Sequence, residues 1–353
     1  MSGGVDSSVA AALLKEEGHE VAGATIRTWA TDTCVDRNTK ACCGLTGVED
    51  ARAVAERLGI PYWVFNFEKE FKQHVVDYFA SEYQKGRTPN PCVACNEHIK
   101  FRLFLHRARE LGYDMIATGH YAELTQAGQD NFYITEGRDA GKDQSYVLFP
   151  LDQDVLRHLR LPIGGYTKAE IRAKAEALGL AVWNKADSQE ICFIPSNDYG
   201  SFLKREYFGG RTLPGTIRTK EGRVLGEHEG YFNYTRGQRR GLGVAHSERL
   251  YVLETIPEKN EVVVGPKPEV YGRACTVGRV NWFLRPADLS SGIKVHVKIR
   301  SQHKKAPATM TAAGTHSVRV LFDDPQDAMT PGQGAVFYAG VRVIGGGWID
   351  TVE

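Results

Sequence analysis

Two hydrophobic periods divide the chain. In the first half, apolar residues recur at three- and four-residue spacing over residues 5–17, 48–58, 71–83, 98–111 and 168–178, which predicts helices. Gly18, Gly59, Gly112 and Gly179 stand where four of them should stop, because a residue without Cβ adopts the left-handed closing conformation at little cost. Continuous apolar runs at 19–28, 61–67 and 113–120 lie between the helices and read as strands covered on both faces. This alternation predicts an α/β fold with a doubly wound, mostly parallel sheet.

After about residue 199 the period shortens. Runs at 251–255, 261–264, 293–299, 317–322, 335–338 and 341–344 are rich in β-branched and aromatic residues and are separated by Gly, Pro, Asn and Asp. The first two, joined through Pro257-Glu258-Lys259-Asn260, read as a hairpin. The others predict small β domains, the last barrel-like. The expected division is a catalytic α/β domain over 1–198, a small central β domain over 199–266 and a C-terminal β-barrel over 267–353. There is no long repeat or low-complexity tract.

Composition narrows the setting. The chain has 353 residues, 42% hydrophobic and 25% charged, enough for a substantial buried core. No run approaches the roughly 20 apolar residues of a membrane span, so a cytoplasmic protein with no membrane partner is expected, a monomer on its own. With 44 Lys and Arg against 43 Asp and Glu, the net charge of +1 announces no polyanionic partner. Local clusters do better: Lys204, Arg205 and Arg211; Arg236, Arg239 and Arg240 beside Tyr231, Phe232 and Tyr234; and Arg300, His303, Lys304 and Lys305. Cationic groups of this kind suit phosphates, and neighbouring aromatic rings suit bases.

Seven cysteines, an odd number unevenly placed, do not form a secreted disulfide framework. Cys34 and Cys275 read as packing residues and Cys42-Cys43 as packing or auxiliary thiols. Cys92 and Cys95 form a C-x-x-C pair, and Cys192 stands in a polar segment. A zinc knuckle would need a second such pair, which the tightly spaced Cys42-Cys43 does not supply. The turn Thr88-Pro89-Asn90-Pro91 leads directly into Cys92 and Cys95. Two prolines stiffen that backbone, and a thiol near a helix N-terminus is biased toward thiolate, which primes Cys95 as a nucleophile.

The strongest local signal is Ser2-Gly3-Gly4-Val5-Asp6-Ser7-Ser8. Two glycines let backbone N–H groups approach an anion, hydroxyls add donors, and the following helix presents its positive end. The loop lacks the lysine of the G-x-x-x-x-G-K-[ST] class. A strand normally precedes such a loop, yet Met1 adjoins it. The expectation is a shortened start, with a central strand encoded upstream of Met1.

The loop resembles the pyrophosphate loop of the N-type ATP pyrophosphatases, which adenylate an oxygen of their substrate. Together with T-P-N-P-x-x-x-C-N at 88–96, Thr118-Gly119-His120-Tyr121, Lys142-Asp143-Gln144-Ser145-Tyr146, D-S-x-x-I-C-F-I at 187–194 and Gly237-Gln238-Arg239-Arg240-Gly241-Leu242-Gly243, it is similar to the signature set of the tRNA-specific 2-thiouridylase family. The resemblance spans almost the whole chain. It implies ATP with Mg2+ as cofactor, a tRNA wobble uridine as substrate and a sulfur-relay protein as persulfide donor. It implies that Ser2, Gly3, Gly4, Val5, Asp6, Ser7, Ile26 and Gly119 bind ATP, and that Asn90, Pro91 and Cys92 meet the target base. Lys142, Asp143, Gln144, Arg236, Arg239, Arg240, Arg300 and Ser301 would contact tRNA. Cys192 would carry a persulfide, and Cys95 would attack it or the intermediate, leaving a disulfide bond. One departure stands out: the best-known members have an aspartate where this chain has Cys92. Cys92 then either replaces it as a low-pKa base, or joins Cys95 and Cys192 in holding a [4Fe-4S] cluster. Two other readings remain, a non-thiolating ligase of the same superfamily and a noncatalytic RNA binder with a structural metal.

Overall fold

The computed structural model describes residues 1–28, 45–186, 191–194 and 198–353, and the chain forms two compact units. One takes Met1–Val76, Cys92–Asn197 and Gly340–Ile344; the other takes Asp77–Pro91, Asp198–Ala339 and Gly345–Glu353. Cys34, Cys42, Cys43 and the Asp187-Ser188-Gln189-Glu190 part of the second cysteine segment lie outside the described residues.

In the first unit the periodic segments are helical: Val5–Glu16, Leu45–Leu58 and Lys168–Ala177. Gly18, Gly59, Gly112 and Gly179 all have left-handed φ, between +61° and +88°. Thr167 caps the third helix in a full capping box with Glu170, the T-x-x-E pattern ahead of an apolar run. Val5, Val9 and Leu13 of the first helix share one buried cluster with Ile171, Ala175, Leu180 and Val182, which fixes the loop ahead of Val5 against the rest of the unit.

Parallel pairing occurs as expected but in short pieces. Gly23–Arg27 pairs with Tyr62–Asn66, and Ile116–Ala117 pairs with Leu159–Arg160. Residues at the start of the chain touch both pieces. The Met1 ammonium donates to Ala24 O and Thr25 Oγ1 donates to Met1 O at 2.6 Å, while Gly119, just past the second piece, sits against Asp6 and Ser7. An antiparallel hairpin, Ala122–Ala127 with Asn131–Glu136, joins this unit. Its alternation is too weak in apolar residues to be seen in the sequence.

The helix of the first cysteine pair departs most from expectation. It starts at Pro91 rather than near residue 98 and runs as Pro91–Ala94, a π-helical stretch Cys95–Leu103 and Phe104–Glu110. Proline at the first helical position has its φ preset and its missing N–H is no loss there. The widened turn shifts side chains off the 3.6-residue period, so the spacing hid the first two turns. Residues 68–84 do the same, with π-helical Lys72–Val76 between Glu68–Phe71 and Asp77–Gln84.

The second unit is largely β. A four-stranded sheet runs in the order Val224–His228, Gly215–Thr219, Glu261–Pro266, Leu250–Ile256, its last pair being the expected hairpin, with Asn260 left-handed at the turn. Six strands then close into a barrel: Tyr271–Trp282, Ser317–Asp327, Ala306–Gly314, Ile293–Lys298, Gly334–Ala339 and Arg342–Val352, the last pairing back onto the first. Val277, Val297, Ala308, Val320, Phe322, Phe337 and Ile349 fill its interior. Tyr271–Trp282 escaped the sequence pattern because three irregularities break its alternation, one around the left-handed Arg279.

Candidate active site

The glycine loop is built as a turn that folds back on its own helix. Ser2 N–H donates to Ser7 Oγ at 3.1 Å, and Ser8 Oγ donates to Gly4 O at 2.8 Å. Gly3 is left-handed, with φ +68°. Gly4 caps the helix without a side-chain acceptor, so the first amides of Val5–Glu16 are left for an external anion. Gly119 closes the other side: a Cβ there would lie 2.6 Å from Ser7 N, so only glycine lets the Thr118–Tyr121 turn abut the loop.

Charge around the loop comes from residues the sequence reading did not single out. Lys168 Nζ bridges both oxygens of Asp6 at 2.7 and 2.8 Å, and Tyr121 OH donates to Asp6 Oδ1 at 2.7 Å. Lys185 Nζ donates to Gly3 O at 2.9 Å and pairs with Asp50 at 2.5 Å. Asp6 is thus neutralised locally, and two ammonium groups stand beside an anion-binding turn. One signal for Lys168 was present: a lysine in the first turn of a helix opposes the helix dipole and calls for an acidic partner elsewhere. Lys185 carries no such mark.

The ATP residues implied by the family resemblance fall together. Ser2 to Ser7 form the loop, Gly119 covers it, and Ile26 is half-buried on the strand whose Ala24 and Thr25 bond Met1. Asp143 and Gln144 are occupied by backbone. Asp143 accepts from Gly137 N, Ser145 N and Ser145 Oγ, and Gln144 exchanges hydrogen bonds with the Tyr121 backbone. They clamp the Thr118–Tyr121 turn; Lys142, beside them, is half-buried.

Cys95 is buried in the π-helical stretch while Cys92, one turn earlier, is exposed. Asn96 fastens this stretch by donating Nδ2 to Val147 O at 3.1 Å. The Asn96 Oδ1 beside Cys95 is buried and has no hydrogen-bond partner among the described residues. His98 lies against His74 of the other π-helix, centroids 4.9 Å apart and rings tilted by 30°. Cys192 is half-buried, but its neighbours Phe193 and Ile194 are fully so, and Phe193 meets Phe71 edge-on at 5.7 Å. Phe71 leads into the π-helical stretch of His74, so the Cys192 segment packs on the helix over 68–84. His120 joins the two halves of the site: its Nδ1 is 2.8 Å from Thr118 Oγ1 and its ring is 5.5 Å from Phe101 of the cysteine helix. Burial, reinforced by the Lys100 charge, holds His120 down at about 3, so the ring is neutral.

The donor set for a cluster is not assembled. Among the described residues no three His, Cys, Asp or Glu side chains converge as a metal site, although Cys92, Cys95 and Cys192 are all described. Cys275, in the barrel, is a packing thiol pushed up to about 12 by burial. Among the described residues no helix is long and apolar enough to cross a membrane.

In the second unit Asn90 is half-buried and Pro91 buried at the head of the cysteine helix. Arg236 donates to Leu253 O and, at 3.4 Å, to Val270 O, and burial lowers its pKa. Arg300 donates to Asp327 O at 3.0 Å with Ser301 beside it, whereas Arg239 and Arg240 are exposed.

Three family models cover the chain: "tRNA methyl transferase HUP domain" matches residues 1–196, "tRNA methyl transferase PRC-barrel domain" 201–266 and "Aminomethyltransferase beta-barrel domain" 272–349. Curated relatives match end to end. The chain is 48% identical to a protein of Geobacter metallireducens over 99% of this chain and 95% of the relative. It is 48% identical to one of Geotalea uraniireducens over 99% and 93%, and 45% identical to one of Lachnoclostridium phytofermentans over 99% and 98%. All three are named tRNA-specific 2-thiouridylase MnmA.

Proposed function

The chain belongs to the tRNA-specific 2-thiouridylase family, and on that premise we propose that it replaces the C2 oxygen of a tRNA wobble uridine with sulfur at the expense of ATP. It is a sulfurtransferase. The observation that carries the reading is a single compact unit holding both a pyrophosphate-type turn and a buried thiol helix, with His120 between them.

The carbonyl oxygen at C2 is a poor leaving group. Attack of that oxygen on the α-phosphorus of ATP releases pyrophosphate and leaves the oxygen bound to AMP, which departs readily. The amides after Gly4 would supply positive potential for the phosphates, while Lys168 and Lys185 balance Asp6 and Asp50 beside the turn; Mg2+ would travel with the phosphates. Tyr121 and Lys168 fix Asp6, so the helix start keeps its shape when the nucleotide leaves. Cys192 receives a sulfane sulfur from a persulfide donor protein. Cys95 thiolate attacks the inner sulfur of that persulfide, forming a Cys95–Cys192 disulfide and freeing hydrosulfide, or attacks after the persulfide has joined C2. Sulfur enters C2 as AMP leaves with the oxygen, and an external thiol reduces the disulfide. Asn90, Pro91 and Cys92 would receive the extruded base. Lys142, Arg239, Arg240, Arg300 and Ser301 would face the RNA.

The test is Cys192→Ser assayed for pyrophosphate release and for 2-thiouridine on tRNA. Thiolation is expected to fall to background while tRNA-dependent pyrophosphate release persists. A variant that still thiolates would overturn the persulfide assignment. A wild-type enzyme that adenylates a carboxylate instead of tRNA would put the chain among the ligases of the superfamily.

A further inference from the structure

A second recognition feature lies in the β unit. The turn over 235–243 is braced on the strand Leu250–Ile256: Gly237 N donates to Val252 O and Val252 N to Gln238 O. Gln238 also spans its own turn, accepting from Thr235 N at 3.1 Å and donating to Arg240 O at 3.0 Å. Leu242 and Leu250 are buried on either side of residues 243–249 and anchor both ends of that stretch. Gly237, Gly241 and Gly243 are all left-handed, so the backbone path is fixed by residue type.

The braced turn and the chain leading to Leu250 line one open cleft that contains Arg239, Gly241, Gly243, His246, Glu248 and Arg249. Arg239 and Arg249 have no ion-pair or hydrogen-bond partner among the described residues, unlike Arg218, which pairs with Glu261 in the neighbouring strands. His246 Nδ1 accepts the Glu248 N–H at 3.2 Å, which leaves the Nε2 of a neutral ring as its N–H donor. The cleft therefore offers two guanidinium forks and an imidazole N–H, with one carboxylate opposing them.

We propose that this cleft is a phosphate pocket that grips one stretch of RNA backbone. The inference rests on the tRNA reading above and names the chemistry of one contact. Forked guanidinium groups match phosphate oxygens in pairs, and a glycine-rich turn allows the sugar–phosphate chain a close approach. Glu248 repels the same ligand, which keeps the grip weak enough for product to leave.

The test is binding of fluorescent tRNA to the full chain over about 0.05–0.3 M KCl. The Arg239→Ala/Arg249→Ala variant is expected to flatten the slope of log Kd against log salt by about one per arginine. Glu248→Gln is expected to tighten binding about twofold to threefold, the effect of removing one exposed like charge. Arg107→Ala, on the helix Phe104–Glu110 where Arg107 pairs with Glu110, should leave the slope unchanged. Inorganic phosphate, followed by 31P line broadening, is expected to compete only weakly. Tight phosphate binding together with an unchanged RNA slope would make the pocket a small-anion site and overturn the RNA assignment, as would an unchanged slope alone. Wild-type protein that binds tRNA with the expected slope yet never thiolates would sink the proposed function and leave the pocket standing.

Discussion

The nucleotide turn and the cysteine helix lie in one unit but are shaped by opposite means. At the turn, short-range residue types set the backbone and distant charges complete it: Gly3 and Gly4 are neighbours, while Lys168 and Lys185 reach Asp6 and Gly3 from far along the chain. At the helix, the motif itself supplies the two thiols, and geometry comes from a widened turn held by the packing of His74 and by Asn96 on Val147. Asp6 at the turn has its counter-charge in Lys168, whereas the Asn96 oxygen at the helix has no hydrogen-bond partner among the described residues. On the function proposed above, the turn would bind and release a polyanion, and its own charges are balanced in between.

The sharpest way to break this contrast is Gly119→Val. Its Cβ would fall 2.6 Å from Ser7 N and 2.7 Å from Asp6 C, both backbone, so the turn must move. ATP-dependent pyrophosphate release should drop about 100-fold or more, the scale of about 3 kcal/mol lost from positioned binding groups. Alkylation of the exposed Cys92 should proceed at the wild-type rate. If Cys92 reactivity changes as much as ATP use does, the two regions are not separable.

Lys168→Met tests the electrostatic closure itself. It leaves a partly buried carboxylate that still accepts from Tyr121 OH, and a lost charged hydrogen bond of about 1.5–3 kcal/mol predicts a 10- to 100-fold rise in the KM for ATP. Lys168→Arg should recover part of it. A KM for ATP unchanged in Lys168→Met would show that Asp6 needs no fixed counter-charge.

The same contrast explains what the sequence made legible. Glycine stops, the Gly-Gly turn, the hairpin through Pro257–Lys259 and the C-x-x-C pair are written in residue type at fixed spacing, and each is local. The π-helical turns are not, because they break the period that reveals a helix. The barrel strand Tyr271–Trp282 is hidden by its bulges, and the Ile116–Ala117 strand by having two residues where the apolar run has eight. The roles of Lys168, Lys185 and Tyr121 depend on tertiary proximity, which spacing does not encode. Arg236 illustrates the converse: its place in a basic cluster suggested RNA, yet its fork meets the carbonyls of Leu253 and Val270.

His120 sets the smallest effect and links the two regions, since its turn touches the loop and its ring lies on Phe101. Burial, then the Lys100 charge, lowers its pKa to about 3 from an ordinary value near 6.5. A depressed pKa means that the unfolded chain takes up a proton before the native one does. The contribution to stability is therefore complete above about pH 6.5 and is lost as pH falls toward 3, at about 1.4 kcal/mol per pH unit from this one ring. His120→Gln keeps a polar group for Thr118 but removes the titration. Near pH 7 the variant should unfold within about 1 kcal/mol of wild type, a small polar change at a packed site. Between pH 6 and 4 its urea midpoint should decline less steeply than that of wild type. Parallel declines would mean that the imidazole is protonated in the native protein, and the neutral ring could not be what joins the nucleotide turn to the cysteine helix.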